Sequence, residues 1–197
     1  MTAPTAPMAA LPSAGGERPR GLLTLGVLLT DAAGVMLLAA LIGAYVHVRH
    51  LGGPFPPKGI KIDRYLGNMV VITMLMTAVT IEWANTAVRK DQRRQASAAL
   101  GITIGLGLAV INLLSWGAGR AGFHPGASPY ATLTAALVLL LGILVGIGIG
   151  VVTLTLFRVA GSQVSALEPE QARAAAWYWH FAVAATVAVW YTVVILR

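Results

Sequence analysis

The chain has 197 residues, 57% hydrophobic and 11% charged, with a mean hydropathy of +0.75 and a formal net charge of +7. A soluble domain carries about 25% charged residues, so most of this chain must face something other than water. The absence of cysteine excludes disulfides, thiolate metal sites and thiol catalysis, and basic residues placed at the ends of apolar runs argue for membrane headgroups rather than nucleic acid.

Residues 1–20 are rich in Ala, Pro and Gly and lack a long apolar run, which reads as a disordered N-terminal arm. The apolar run that follows is too long for a signal-peptide core, so the first helix is expected to be retained as its own insertion signal. Residues 21–197 then form one transmembrane domain. A span needs about 20 residues, and five runs meet that length, at about residues 21–47, 66–88, 96–118, 130–157 and 174–196. The expected fold class is all-α: a polytopic membrane protein built as a bundle of five transmembrane helices.

The first span contains Asp31, two to three turns into the apolar run and with no basic residue around it. Gly52-Gly53-Pro54-Phe55-Pro56-Pro57 makes a stiff connection that cannot be helical. The second span ends with Glu82-Trp83, and the simplest reading lets this carboxylate reach the interface beside Arg89. The short basic loop Arg89-Lys90-Asp91-Gln92-Arg93-Arg94 follows. Positive charge next to short loops marks the cytoplasmic side, which places the N-terminus in the cytoplasm and the C-terminus outside.

The fourth span is the most glycine-rich. Gly142, Gly146 and Gly150 recur at every fourth residue, clearing one stripe for a neighbouring helix or a lipid chain. A phosphate-binding reading of Gly146-Ile147-Gly148 and its neighbours fails, because no strand precedes it and it lies in apolar sequence. Glu168-Pro169-Glu170 then has the proline and acids of a helix start.

The last span opens on Trp177-Tyr178-Trp179-His180-Phe181. Two readings stand side by side: an aromatic belt anchoring the helix at headgroup depth, or a functional segment built around one ionisable residue. Of the histidines, His47, His50 and His124 fall at span ends or in loops, and only His180 lies within a span. No paired intramembrane histidines are present to hold a heme. Asp31 and Glu82 are the intramembrane carboxylates, and such groups mark proton or ion routes or face a bundle interior. No Ser-His-Asp or His-Glu-x-x-His arrangement accompanies them.

The order of these features resembles subunit III of the heme-copper (cytochrome c) oxidases, in the short five-helix bacterial form. The strongest element is Tyr178-Trp179-His180-Phe181, similar to the signature that opens the family's last helix. Val35-Met36 leading to Ala44-Tyr45 resembles its first conserved stretch. Asn68, Thr80 to Ala84 with the basic loop, Tyr130 and Arg158 follow in the family's order, and Asn112 and Ser115-Trp116-Gly117 stand where the family often has Gln and Glu-Trp. The sequence departs from the pattern where Gly34 replaces a family Glu, with Asp31 one turn earlier. It departs again in the fourth span, which lacks the family's two histidines, and at Ala182 and Val183, where an Asp is usual.

The resemblance implies a noncatalytic subunit of a proton-pumping terminal oxidase of aerobic respiration, in a bacterial cell membrane. It implies no cofactor in this chain, with heme and copper in partner subunits. The expected partners are the catalytic subunit, subunit II and membrane phospholipids. Asp31 and Glu82 are the proton-linked candidates. Trp177 to Phe181 form the family-motif interface, and Gly142, Gly146 and Gly150 a packing stripe or lipid cleft. Two other classes compete: a small transporter or channel using Asp31 and Glu82, and an oxidase assembly or accessory protein.

Overall fold

The structure, a computed structural model, describes residues 21–51, 63–121, 126–164 and 169–195. The arm and the Pro-rich connection lie outside the described residues, as does His124. Five helices follow one another: α1 (Leu22–His50), α2 (Arg64–Arg89), α3 (Arg93–Arg120), α4 (Pro129–Ala160) and α5 (Glu170–Trp190), the last ending in a π-helical turn over Tyr191–Ile195. All five are long and apolar enough to cross a membrane.

The helices outrun the apolar runs because capping residues lie outside the hydrocarbon. The Asp63 side chain accepts from Tyr65 N at the start of α2. Ser128 accepts from Ala131 N at the start of α4, where Pro129 occupies the first turn, a position that has no amide to lose. Between α2 and α3 the chain reverses in three residues. Asp91 adopts φ 55 there, while Gln92 N donates to Ala87 O. Ser162, with φ 62, closes α4 in the same way through Gln163 N and Arg158 O. Both are left-handed helix ends in which the residue of positive φ is not a glycine.

Packing makes α5 the axis. It contacts α1, α2 and α4, while α2–α3 and α3–α4 pair around it. Burial follows: 56% of the α5 span is buried, against 11% of the α1 span. Peripheral α1 is held at both ends. Far from the basic loop, Tyr45 and Tyr130 pack ring on ring with centroids 5.6 Å apart, joining α1 to α4. At the other end, Gly21 offers α1 no side-chain cap. Glu170 supplies one from α5, its Oε1 accepting from Leu23 N at 3.0 Å and Thr24 N at 3.4 Å. The acid expected to serve the start of its own helix therefore also serves another helix. Side-chain hydrogen bonds from Arg93 to Ser162 and from Arg158 to Gln171 tie α3, α4 and α5 together at this same end.

Glu170→Ala removes the cap shared with α1, and lost caps cost about 1 kcal/mol. Amide exchange over residues 22–30 should rise several-fold while α2 to α4 stay protected. Unchanged exchange in that segment would contradict the capping role.

Candidate functional site

Successive residues on a helix point about 100° apart, so the five residues from Trp177 address every side of α5. Trp177 is exposed, Tyr178 and Trp179 are buried, and His180 and Phe181 are half-buried. A belt of rings at headgroup depth therefore does not describe the stretch. It begins seven residues into α5 and supplies the contacts on which the bundle closes.

Trp179 is fully buried. Its Nε1 donates to Thr77 Oγ1 on α2 at 2.7 Å, and the Thr77 hydroxyl passes its own proton to Met74 O. The indole lies over two glycines. A Cβ on Gly148 of α4 would come within 2.9 Å of Trp179 Cζ3, and one on Gly107 of α3 within 3.0 Å of Cη2. One side chain thus fixes the separation of α2, α3, α4 and α5. Tyr178 donates from its hydroxyl to Leu144 O on α4 at 2.9 Å and stands edge-on to Phe181, centroids 6.3 Å apart. The Phe181 ring fills the space beside Gly34 of α1, where a Cβ would meet it at 2.6 Å. A side chain at that position, where the family pattern has a glutamate, would require the Phe181 ring to shift.

The glycine stripe faces outward: a Cβ on Gly142, Gly146 or Gly150 meets nothing within 4 Å among the described residues, which leaves the stripe open to lipid or to a helix of another chain. The glycine of α4 that does pack is Gly148, two residues off the stripe and on the opposite side of the helix.

The two carboxylates also sit differently from the simplest reading. Glu82 turns to α5 rather than to Arg89: its Oε1 is 3.1 Å from His180 Nε2. Glu82 lies seven residues from the end of α2 and His180 ten from the start of α5, about 10 and 15 Å in from the same end of the bundle. The side chains of this pair are 50% and 41% exposed, while His180 Nδ1 is buried without a hydrogen-bond partner. From His180 a shallow apolar groove between α2 and α5 runs past Ala184 and Ala188 to Tyr191. Asp31 is enclosed instead, 8% exposed, with Oδ1 lacking a hydrogen-bond partner. The two acids thus flank α5 from different neighbours.

Sequence reasoning found Asp31, Glu82 and His180 by their charge. It missed Thr77, Gly107 and Gly148, whose only signal is a hydroxyl or a gap within apolar sequence. Among the described residues, no group of three or more His, Asp or Glu side chains is placed to hold a metal ion.

Five apolar helices closed on an aromatic-histidine segment, with carboxylates inside the spans, define a polytopic membrane protein. The model of the family described as cytochrome c oxidase subunit III matches residues 18–196, and the chain belongs to that family. It is 31% identical over 133 residues to cytochrome c oxidase subunit 3 of Coturnix japonica, covering 66% of this chain and 51% of that one. It is also 27% identical over 163 residues to the subunit 3 of Strongylocentrotus purpuratus, covering 79% and 63%. Against the subunit 3 of Cyanidium caldarium it is 28% identical over 165 residues, covering 79% and 60%. The chain thus spans half to three fifths of the length of these relatives.

Gly148→Leu should disrupt the isolated chain, because overpacking a filled contact costs about 1–3 kcal/mol. Gly146→Leu should leave it monodisperse and as thermally stable as the parent. Equal loss of thermal stability in detergent for both variants would contradict the socket assigned to Trp179.

Proposed function

We propose that this chain is a noncatalytic subunit of a heme-copper terminal oxidase, which binds the side of the catalytic subunit and stabilises it during turnover. The partner subunits hold the heme and copper and reduce oxygen. This chain supplies packing, a lipid-bearing surface and a polar pair. The setting is a bacterial cell membrane, with the N-terminus and the Arg89–Arg94 loop in the cytoplasm.

The observation that carries this reading is the half-exposed Glu82–His180 pair, well inside the spans and beside an apolar groove. Ionisable groups at such depth rarely face lipid; they face protein or water. A neighbouring membrane helix laid along the α2–α5 groove covers the pair, gives it further hydrogen bonds and meets alanines that permit close approach. The open stripe of Gly142, Gly146 and Gly150 is the surface for phospholipid acyl chains. The channel reading needs Asp31 and Glu82 on one pore and gains no support from two acids that flank α5 separately. Asp31 keeps a proton-linked role, because an enclosed carboxylate with an unsatisfied oxygen can gain and release a proton as the adjoining subunit changes state.

Purified through a tag on this chain from its own membrane, the complex should contain heme at fixed stoichiometry. Glu82→Ala with His180→Ala should lower the copurified heme several-fold, each hydrogen bond between membrane helices being worth about 1 kcal/mol. Undiminished heme would move the interface off this face, and no heme from the parent chain would defeat the subunit reading.

Asp31→Asn should leave the complex assembled and either slow its turnover or shorten its active lifetime. Unaltered oxygen consumption over many turnovers would make Asp31 a structural residue only.

A further inference from the structure

Thr30 and Ser115, exposed hydroxyls within the spans, are satisfied on their own helices: Thr30 donates to Gly26 O and Ser115 to Ile111 O, at 2.9 Å each. Asn112 of α3 is not. It is exposed, and its carboxamide has no hydrogen-bond partner among the described residues. It stands eight residues before the end of α3, about 12 Å in from that end. One turn nearer the end, the Trp116 ring is 50% exposed and carries the Arg120 guanidinium 4.3 Å from its centroid. An exposed tryptophan beside a cation anchors a span at headgroup depth, so Asn112 lies on the hydrocarbon side of that anchor. A carboxamide there is too short to reach water as a lysine does, and it costs free energy until something pairs with it.

The surface around Asn112 is flat. Successive residues on a helix point about 100° apart, which puts Gly101, Gly105, Leu108, Asn112, Ser115 and Gly119 on one row, and all of them are exposed. A Cβ on Gly101, Gly105 or Gly119 would meet nothing within 4 Å. The row points away from the core, since Gly107, on the other side of the helix, is the glycine that receives Trp179. α3 packs on α2 and α4 and lends no residue to the α2–α5 groove, which stays free when the α3 row is covered. The bare glycines say only that something can lie close against α3. The carboxamide says what it must carry.

We infer that this row of α3 joins two copies of the chain side by side in the membrane, with Asn112 of one copy paired to Asn112 of the other. Membrane insertion fixes one orientation for every copy, so two copies sharing the same contact are related by a two-fold axis along the membrane normal. Along that axis each residue meets the other copy at its own depth, and like faces like. A charge is repelled in such a contact, whereas a group that is both donor and acceptor is suited to it. Asn112 is such a group: each Nδ2 donates to the other Oδ1, and both amides are satisfied together. A helix of another protein would need a polar group at this one depth, but a second copy brings it by symmetry. Gly105, two turns along the row, lets the backbones approach closely enough for side chains this short to meet. A single asparagine in a helix seam fixes the register of two copies in the same way.

The chain has no cysteine, so single cysteines placed in it report one contact at a time. Leu108→Cys and Ser115→Cys, one turn to either side of Asn112, are oxidised in the chain's own membranes, and a disulfide forms only where two Cα atoms come within about 7 Å. Both variants should give a covalent dimer of this chain. Leu139→Cys on α4 and Met76→Cys on α2, exposed on other faces, should stay monomeric. Asn112→Leu added to Leu108→Cys should slow the crosslinking about tenfold, the size of two hydrogen bonds between membrane helices, and Asn112→Gln should restore most of the rate. Asn112 is exposed, so neither substitution disturbs the bundle. No dimer from either α3 cysteine, equal yields from all four positions, a crosslink to a different protein, or a rate indifferent to Asn112→Leu would each overturn the inference. None of these outcomes bears on association with the oxidase, which heme copurification decides separately.

Discussion

The burial of a single indole governs the bundle. Trp179 carries one polar hydrogen, and in hydrocarbon that hydrogen must find an acceptor or the side chain must leave. Thr77 provides the acceptor, and it can do so because its own proton goes to Met74 O. Lipid tails are as apolar as the helices, so nothing like the hydrophobic effect presses membrane helices together. Close packing has to do it, and the flat ring lies close against Gly107 and Gly148, where no side chain intervenes.

The other residues of the segment follow from this placement. Once Trp179 points at α2, α3 and α4, helix geometry turns Tyr178 and Phe181 toward α4 and α1 and leaves His180 beside Glu82. Gly34 then lies against the Phe181 ring, which a side chain at that position would have to displace. Asp31, one turn earlier on α1, is buried within the bundle. The polar groups are thus divided by α5 into an enclosed acid and an outward-facing pair.

Much of this was legible in the sequence. The five spans are visible as apolar runs, because lipid demands about 20 apolar residues in a row wherever a helix crosses. The central position of α5 was not legible from hydropathy, for a physical reason. The most buried span is among the least hydrophobic of the five, and the most hydrophobic, α4, is only one-third buried. In a membrane the greasiest surface faces outward, so polarity, not hydrophobicity, marks the inside. The glycines are ambiguous in a related way. A regular stripe such as Gly142, Gly146 and Gly150 signals a smooth surface but does not say what lies on it. Gly148 and Gly107 pack because a ring sits opposite them, and one helix's sequence does not contain the ring on another. The cap that Glu170 gives α1 was hidden for the same reason: it spans 147 positions.

A density map of the complex, purified through this chain and solved in a lipid nanodisc, is the most direct test of the account. It should show the Trp179 ring seated between Gly107 and Gly148, and the α2–α5 groove from His180 to Tyr191 covered by a helix of another subunit. A map in which lipid fills that groove, with the Glu82–His180 pair facing the bilayer and α1 or the glycine stripe of α4 against the partner, would contradict it.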